Sequence, residues 1–330
     1  MRFAAASLCV LFALVVVQAG AVTVDREFHE TFDALEGDVI SCRYGDGDVV
    51  VIPWDQETID VNVRYHVDVR GFGIGEEPDF EVDMERVDNE IVIVGRETSV
   101  KAAILRIRNV HEYRYTIHAP PVVALELSGD DGDVTIDGWR SSVSVLADDG
   151  DVTVTDVETD RVRVSVEDGD IELSDTIGEL RVSGDDGDVV LTNCAFPLAQ
   201  LKLADGDVAA SGCDGRLEIS VDDGDIALFG VTGESIEIRG EDGDVRIEYG
   251  DVGAVDLDVT LDDGDVDVLF GAGLSATLLV TTEDGRLSVA GDEVTDLRVE
   301  EERAEAVVGG GEGRMRLRTA DGSVTIRQRR

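Results

Sequence analysis

Large side chains and positive charge are both scarce in this 330-residue chain. Aromatic residues are 5% of it, and lysine occurs only at Lys101 and Lys202. So few rings suit a thick sandwich less well than a narrow core. The 36 glycines and the many Val, Ile and Leu residues suit a narrow, repetitive core. Basic residues number 28 against 73 acidic ones, for a net charge of -45. A surface this negative repels nucleic acid and anionic lipid, and leaves cations, basic polymers or an envelope protein as partners of fitting charge. Acidic excess with few lysines suits a salt-rich habitat, and a GC-rich genome that replaces Lys by Arg produces the same composition. Global disorder is excluded by a hydrophobic share of 43%.

Long apolar runs are missing after the first residues. Met1-Arg2 followed by Phe3 to Val17 and by Ala19-Gly20-Ala21 reads as an export leader, removed before Val22. The run is too short for a comfortable membrane span, and no later stretch reaches ~18 uninterrupted apolar residues. Cys9 lies inside the run, away from the cut, which argues against a lipid anchor there. The mature chain is therefore expected outside the cytoplasm, whether periplasmic, at the cell surface or secreted, without a membrane span.

What is abundant is repetition. An acidic-Gly-acidic corner recurs with glycines at 132, 150, 169, 187, 206, 224, 243 and 264, at intervals of 18 to 21 residues, and degenerate copies follow at Gly285 and Gly322. Two and four residues after each glycine stand apolar pairs such as Val152/Val154 and Ile171/Leu173. Seven and five residues before it stand others, such as Val162/Val164 and Leu180/Val182. Both sets alternate with polar residues, the period of a strand with one buried face. No helical periodicity competes. A unit of two short strands and two turns cannot bury its apolar face alone, so successive units must stack. The expected fold is all-β: a β-solenoid (single-stranded β-helix) with ~18–19-residue coils spaced ~4.8 Å apart. The glycine supplies positive φ at the corner, and the preceding Asp offers an Asx-type closure.

Residues 22–120 are less regular. Glu36-Gly37-Asp38-Val39 and Asp46-Gly47-Asp48-Val49 are related corners, Ile59-Asp60-Val61-Asn62-Val63 is strand-like, and Gly71 to Pro78 reads as a loop. The expected organisation is a leader at 1–21, an irregular N-terminal β cap at 22–120, and regular coils at 121–330, entered at Pro120-Pro121. Arg314 to Arg330 carries a last degenerate coil whose six arginines would discourage edge-to-edge stacking.

Three stretches carry a family likeness: Gly47-Asp48-Val49-Val50-Val51-Ile52-Pro53-Trp54 with Ile59-Asp60-Val61; Tyr115-Thr116-Ile117-His118-Ala119-Pro120; and Leu317 to Ile326 around Asp321-Gly322-Ser323. In these the chain resembles the bacterial "putative adhesin" family of β-strand-repeat domains of unknown function. The resemblance covers nearly all of the mature chain, and implies a β-solenoid at the cell envelope. It brings no catalytic residues. The unusually acidic turns depart from the family pattern.

Stacking would align the corner carboxylates in files. Asp131, Asp149, Asp168, Asp186, Asp223, Asp242 and Asp263 form one, with Asp205 between them. Asp133, Asp151, Asp170, Asp188, Asp225, Asp244 and Asp265 form a second, with Asp207. Such ladders suit shared hard cations such as Ca²⁺, or they are solvated turn residues screened by salt. Neither the EF-hand nor the Gly-Gly-x-Gly-x-Asp spacing occurs. On the calcium reading, added Ca²⁺ or salt raises the melting temperature. Cys194 and Cys213 each follow a corner glycine by seven residues, so they are disulfide candidates on adjacent coils. The same column holds Trp139, Val157 and Val231, so both also read as small buried hydrophobes. Cys42 stays unassigned. The histidines, at 29, 66, 111 and 118, are scattered and suggest no shared metal. A carbohydrate-active β-helix would need paired carboxylates under loops that interrupt the repeat, and residues 129–266 show almost no interruption. No nucleophile or zinc motif occurs. The expected class is non-enzymatic, with a Ca²⁺-dependent binding module and a carbohydrate-active enzyme as alternatives.

Overall fold

The computed structural model describes residues 14–18, 21–70, 79–98 and 108–329. The rest of the leader, including Cys9 and the cleavage motif at Ala19-Gly20, and the loop at Gly71 to Pro78 lie outside the described residues. Among those described there is strand and turn but no helix, and none therefore long and apolar enough to cross a membrane. The chain divides into two compact units, Met1–Gly150 and Asp151–Arg330.

The first unit contains β1 (Leu14–Gln18), β2 (Ala21–Asp33), β3 (Val39–Gly45), β4 (Asp48–Pro53), β5 (Thr58–Arg70), β6 (Asp79–Val87), β7 (Glu90–Thr98), β8 (Arg108–Ala119), β9 (Ala124–Asp131), β10 (Val134–Asp137) and β11 (Val143–Asp149). They form two sheets, ordered β1-β2-β5-β8-β4-β10 and β6-β7-β3-β9-β11. The β1-β2, β2-β5, β5-β8 and β6-β7 pairings are antiparallel, although strands of the other sheet intervene in the chain between β2 and β5 and between β5 and β8. The others are parallel. Residues 39–53 are already a repeat coil: β3 lies beside β9, and β4 beside β10, in register. Aromatic residues, sparse in the second unit, gather here. Phe28, Tyr65, Phe80 and Tyr113 pack with ring centroids 5.0 to 5.9 Å apart.

In the second unit each coil contributes one strand to each sheet. The coils are β12 (Val152–Thr155) and β13 (Glu158–Asp168), β14 (Ile171–Ser174) and β15 (Ile177–Asp186), β16 (Val189–Thr192) and β17 (Ala195–Asp205). Next come β18 (Val208–Ser211) and β19 (Asp214–Asp223), β20 (Ile226–Val231) and β21 (Ser235–Asp242), β22 (Val245–Tyr249) and β23 (Asp256–Asp263). Last are β24 (Val266–Phe270), β25 (Ala276–Asp284), β26 (Leu287–Ala290), β27 (Val294–Val299), β28 (Arg303–Val308), β29 (Gly313–Asp321) and β30 (Val324–Gln328). From β12 to β24 equivalent strands pair parallel, Val on Ile on Val, as in Val152↔Ile171, Ile171↔Val189 and Val189↔Val208. The alternating residues that the sequence marked as apolar are buried on the inner faces, where each full side chain contributes roughly 1.5–3 kcal/mol. Neither unit has a sheet that closes into a barrel. The architecture is an all-β, two-sheet, solenoid-like repeat.

The chain does not stack in sequence order at its C-terminal end. β29 pairs with β23 on one side and β25 on the other, and β30 lies between β24 and β26. The arginine-rich coil is therefore interior, which corrects the expectation that it guards a free edge. Inside, Met315, Leu317, Val324 and Ile326 continue the buried columns of both neighbours, and charge matches at the surface. The coil's arginines reach carboxylates of the flanking coils: Arg316 to Asp258 at 3.2 Å, Arg327 to Asp267 at 2.5 Å and Arg318 to Glu283 at 3.5 Å. The edge of that sheet is instead the antiparallel hairpin β27–β28.

Candidate functional site

The acidic corners are the feature that every coil repeats. In the second unit the corner glycines sit on one another. Gly206 has φ +131°, and a Cβ placed on it would come 2.1 Å from the carbonyl oxygen of Gly187. Only glycine satisfies both the torsion and the approach. Two hydrogen bonds then tie each corner to the next. The glycine N–H donates to the carbonyl of the following coil's first Asp, as Gly206 does to Asp223 at 3.0 Å. The carboxylate after the glycine accepts the N–H of its counterpart one coil on: Asp170 to Asp151 at 2.9 Å, Asp188 to Asp170 at 2.9 Å and Asp207 to Asp188 at 2.9 Å. The series continues with Asp225 to Asp207, Asp244 to Asp225 and Asp265 to Asp244, each at 2.8 Å, and ends with Ser323 donating to Asp265 at 2.7 Å. These bonds run between coils, and the Asp after the glycine accepts them. The sequence argument had looked to the Asp before it.

The candidate cation ligands therefore fall as follows. Asp168, Asp186, Asp223, Asp242 and Asp263, with Asp205, form one exposed file in register, prolonged by Asp321 and Asp284. Asp151, Asp170, Asp188, Asp225, Asp244 and Asp265, with Asp207, form the ladder of backbone acceptors. In the first unit Asp131 and Asp149 are paired in register, and the Asp133 N–H donates to Asp48 at 3.4 Å. The hydrogen bond with Asp131 and, with smaller weight, burial and the neighbouring negative charge hold the Asp149 carboxyl above its usual pKa. Among the described residues no group of three or more His, Cys, Asp or Glu side chains is set to hold a metal ion. Two exposed histidines lie beside aspartates, His29 with Asp60 at 2.7 Å and His66 with Asp25 at 2.5 Å, and His118 packs on Trp54.

Cys194 and Cys213 occupy adjacent levels and are buried thiols in contact, whereas Cys42 is buried in the first unit, where loss of solvation pushes its thiol pKa up. Sequence reasoning missed an ion pair of the first unit, between a buried Asp38 and a half-buried Arg86. Arg86 grips both oxygens of Asp38, at 2.8 and 2.9 Å, and Leu35 N–H adds a third bond at 2.8 Å. Asp38 was visible as an acidic corner, but its partner stands 48 residues away. Burial is the largest single influence and opposes ionisation, yet these bonds and the Arg86 charge outweigh it and lower the Asp38 pKa. Beside this pair an open groove of about 750 Å³ runs between β2 and β6, lined by Phe28, Phe32, Leu35, Val82, Met84 and the charged Asp33, Asp83, Glu85 and Arg86.

A family model described as Toastrack DUF4097 matches residues 98–211 and again 176–327. The double, overlapping match is what a short repeat permits. Among curated proteins none matches. Of the solved structures, a "putative adhesin" from Parabacteroides distasonis ATCC 8503 is 12% identical over 92% of this chain and 97% of that one, with a TM-score of 0.40. A "putative adhesin" from Bacteroides fragilis NCTC 9343 is 12% identical over 91% and 96%, with a TM-score of 0.38. A "putative cell adhesion protein" from Clostridium sporogenes ATCC 15579 is 9% identical over 92% and 100%, with a TM-score of 0.22. At such scores these likenesses carry no argument about function.

Proposed function

Because the chain belongs to the Toastrack DUF4097 family and is itself a stack of short β repeats, we propose that it is an exported, non-enzymatic β-solenoid of the cell envelope that presents files of carboxylates to a cationic envelope polymer or protein. In this reading residues 1–21 are the leader, 22–120 the N-terminal cap, and 121–330 the single-stranded β-helical coils. One observation carries it. From β12 to β24 every corner shows solvent the same acidic pair on an unbroken register, without the inserted loops that build a catalytic cleft. A surface of this kind binds by summed charge over a long face and not at one pocket.

Expression of the full chain in a bacterial host, followed by cell fractionation and N-terminal sequencing, tests the export half. A mature N-terminus at Val22 in the envelope or medium is expected, and cytosolic protein that retains Met1 refutes it. Calorimetric titration with CaCl₂ separates polymer binding from a dedicated calcium module. The proposal expects no saturable heat, since among the described residues no three or more carboxylates are grouped to hold one ion. A saturable stoichiometry would favour the calcium module instead.

A further inference from the structure

One column of buried side chains runs along the inner turn of the second unit: Val157, Thr176, Cys194, Cys213 and Val231, none more than 2% exposed. Its two thiols are on consecutive levels. The strands that leave them are in register, Ala195 with Asp214, and the Asp214 N–H donates to the Cys194 carbonyl at 2.9 Å. Neighbours in a parallel ladder stand ~4.8 Å apart, within the Cα range of a disulfide at about 4.4–6.8 Å. The two side chains take equivalent positions on their levels: the Cys194 S–H lies against the carbonyls of Thr192 at 3.3 Å and Leu173 at 3.6 Å, and the Cys213 S–H against those of Ser211 at 3.6 Å and Leu191 at 3.7 Å.

We propose that Cys194 and Cys213 form a disulfide that staples two adjacent levels of the array when the chain folds in an oxidising compartment. The oxidant is a disulfide-bearing thiol carrier. The Cys213 thiolate attacks one of its sulfurs, forming a mixed disulfide and releasing one carrier thiol. The Cys194 sulfur then attacks the Cys213 sulfur, forming the protein disulfide and releasing the second. Two S–H bonds of the protein are oxidised to one S–S bond, and the carrier disulfide takes up both electrons and both protons. The attacking species is the thiolate, formed while the thiol is still open to solvent during folding, and exchanging the roles of the two cysteines leaves the balance unchanged. Both positions are closed to solvent in the folded array, so exchange belongs to folding, before the level that begins at Ile226 docks. Once closed, the bond is shielded from reductants.

The test refolds the reduced full chain in a buffer of reduced and oxidised glutathione, then counts thiols in the denatured product and maps its peptides. The chain has four cysteines, so the count should fall to two, with Cys194 and Cys213 in one linked peptide. The oxidised form should melt roughly 5–10 °C above chain refolded and kept in TCEP. Cys194→Ala and Cys213→Ala should each abolish that difference, and Cys42→Ala should preserve it. A folded product that keeps four thiols, or a link through Cys9 or Cys42, overturns the proposal. The thiol count and peptide map on the unmodified chain decide the matter even if the variants do not fold.

Discussion

Two residue types do most of the specifying, and each has one physical task. The corner glycine accepts a torsion and a contact that no other residue tolerates. Gly206→Ala should therefore cost roughly 1–3 kcal/mol from backbone strain alone, measured by urea unfolding, with an unchanged midpoint contradicting the stacked corner. The aspartate after it serves as an acceptor, and its charge is incidental to that task. Asp207→Asn keeps an oxygen for the Asp225 N–H and relieves repulsion along the file, so its midpoint should equal or exceed that of the parent. Asp207→Ala loses the acceptor and should cost about 0.5–1.5 kcal/mol. Equal effects of the two would remove the ladder from the account.

The Asp38–Arg86 pair is the opposite case, a charge kept because it is buried and matched. Its lowered carboxyl pKa means that its stabilisation is complete above the ordinary carboxylate range and is lost as pH falls through the folded-state pKa. Arg86→Ala strands a buried carboxylate and should cost about 3–5 kcal/mol at pH 7. The deficit should shrink on acidification, as the stranded group takes up a proton. A deficit independent of pH would assign the loss to packing.

At the scale of elements, the C-terminal coil is a keystone inserted after its neighbours in sequence. Ending the chain at Gly311 removes β29 and β30, and with them the parallel partners of β25 and β26, leaving β25 only its antiparallel neighbour β28. Hydrogen exchange should then show residues 276–308 exchanging freely while strands β14 to β20 stay protected. Full protection of 276–308 in the truncated chain would mean that the β25–β28–β27 hairpin strands hold without the C-terminal coil, which contradicts the keystone role. This stacking order was not legible in the sequence. The period of the apolar residues marks which residues belong to a coil and which face they bury, and both readings agree with the structure for Val134/Ile136 through Val245/Ile247. Periodicity carries no information on which coil lies beside which. Order of appearance served for the middle of the chain, where short turns leave no alternative. It failed at Arg314, where 42 residues separate Gly271 from Gly313 and the arginines had a better place between two acidic neighbours. The N-terminal coil at 39–53 shows the same limit. Its Gly47 was visible, but β3 takes β7 and β9 as neighbours, both distant in sequence.

For the whole molecule, the net charge of -45 works against the stack that creates it. Carboxylates ~4.8 Å apart repel by about 1 kcal/mol in water. The backbone hydrogen bonds, the interleaved arginines and the buried columns hold the array against that repulsion. All of this depends on each period advancing the chain by one strand spacing. Nitroxide pairs on outward positions of the second unit measure the advance directly by dipolar spectroscopy. Labels at Val190 and Arg246, Glu172 and Arg246, and Glu172 and Asp267 are separated by three, four and five levels. Their mean distances should climb by ~4.8 Å per level, and a series that does not grow with the number of levels would contradict the stacked repeat.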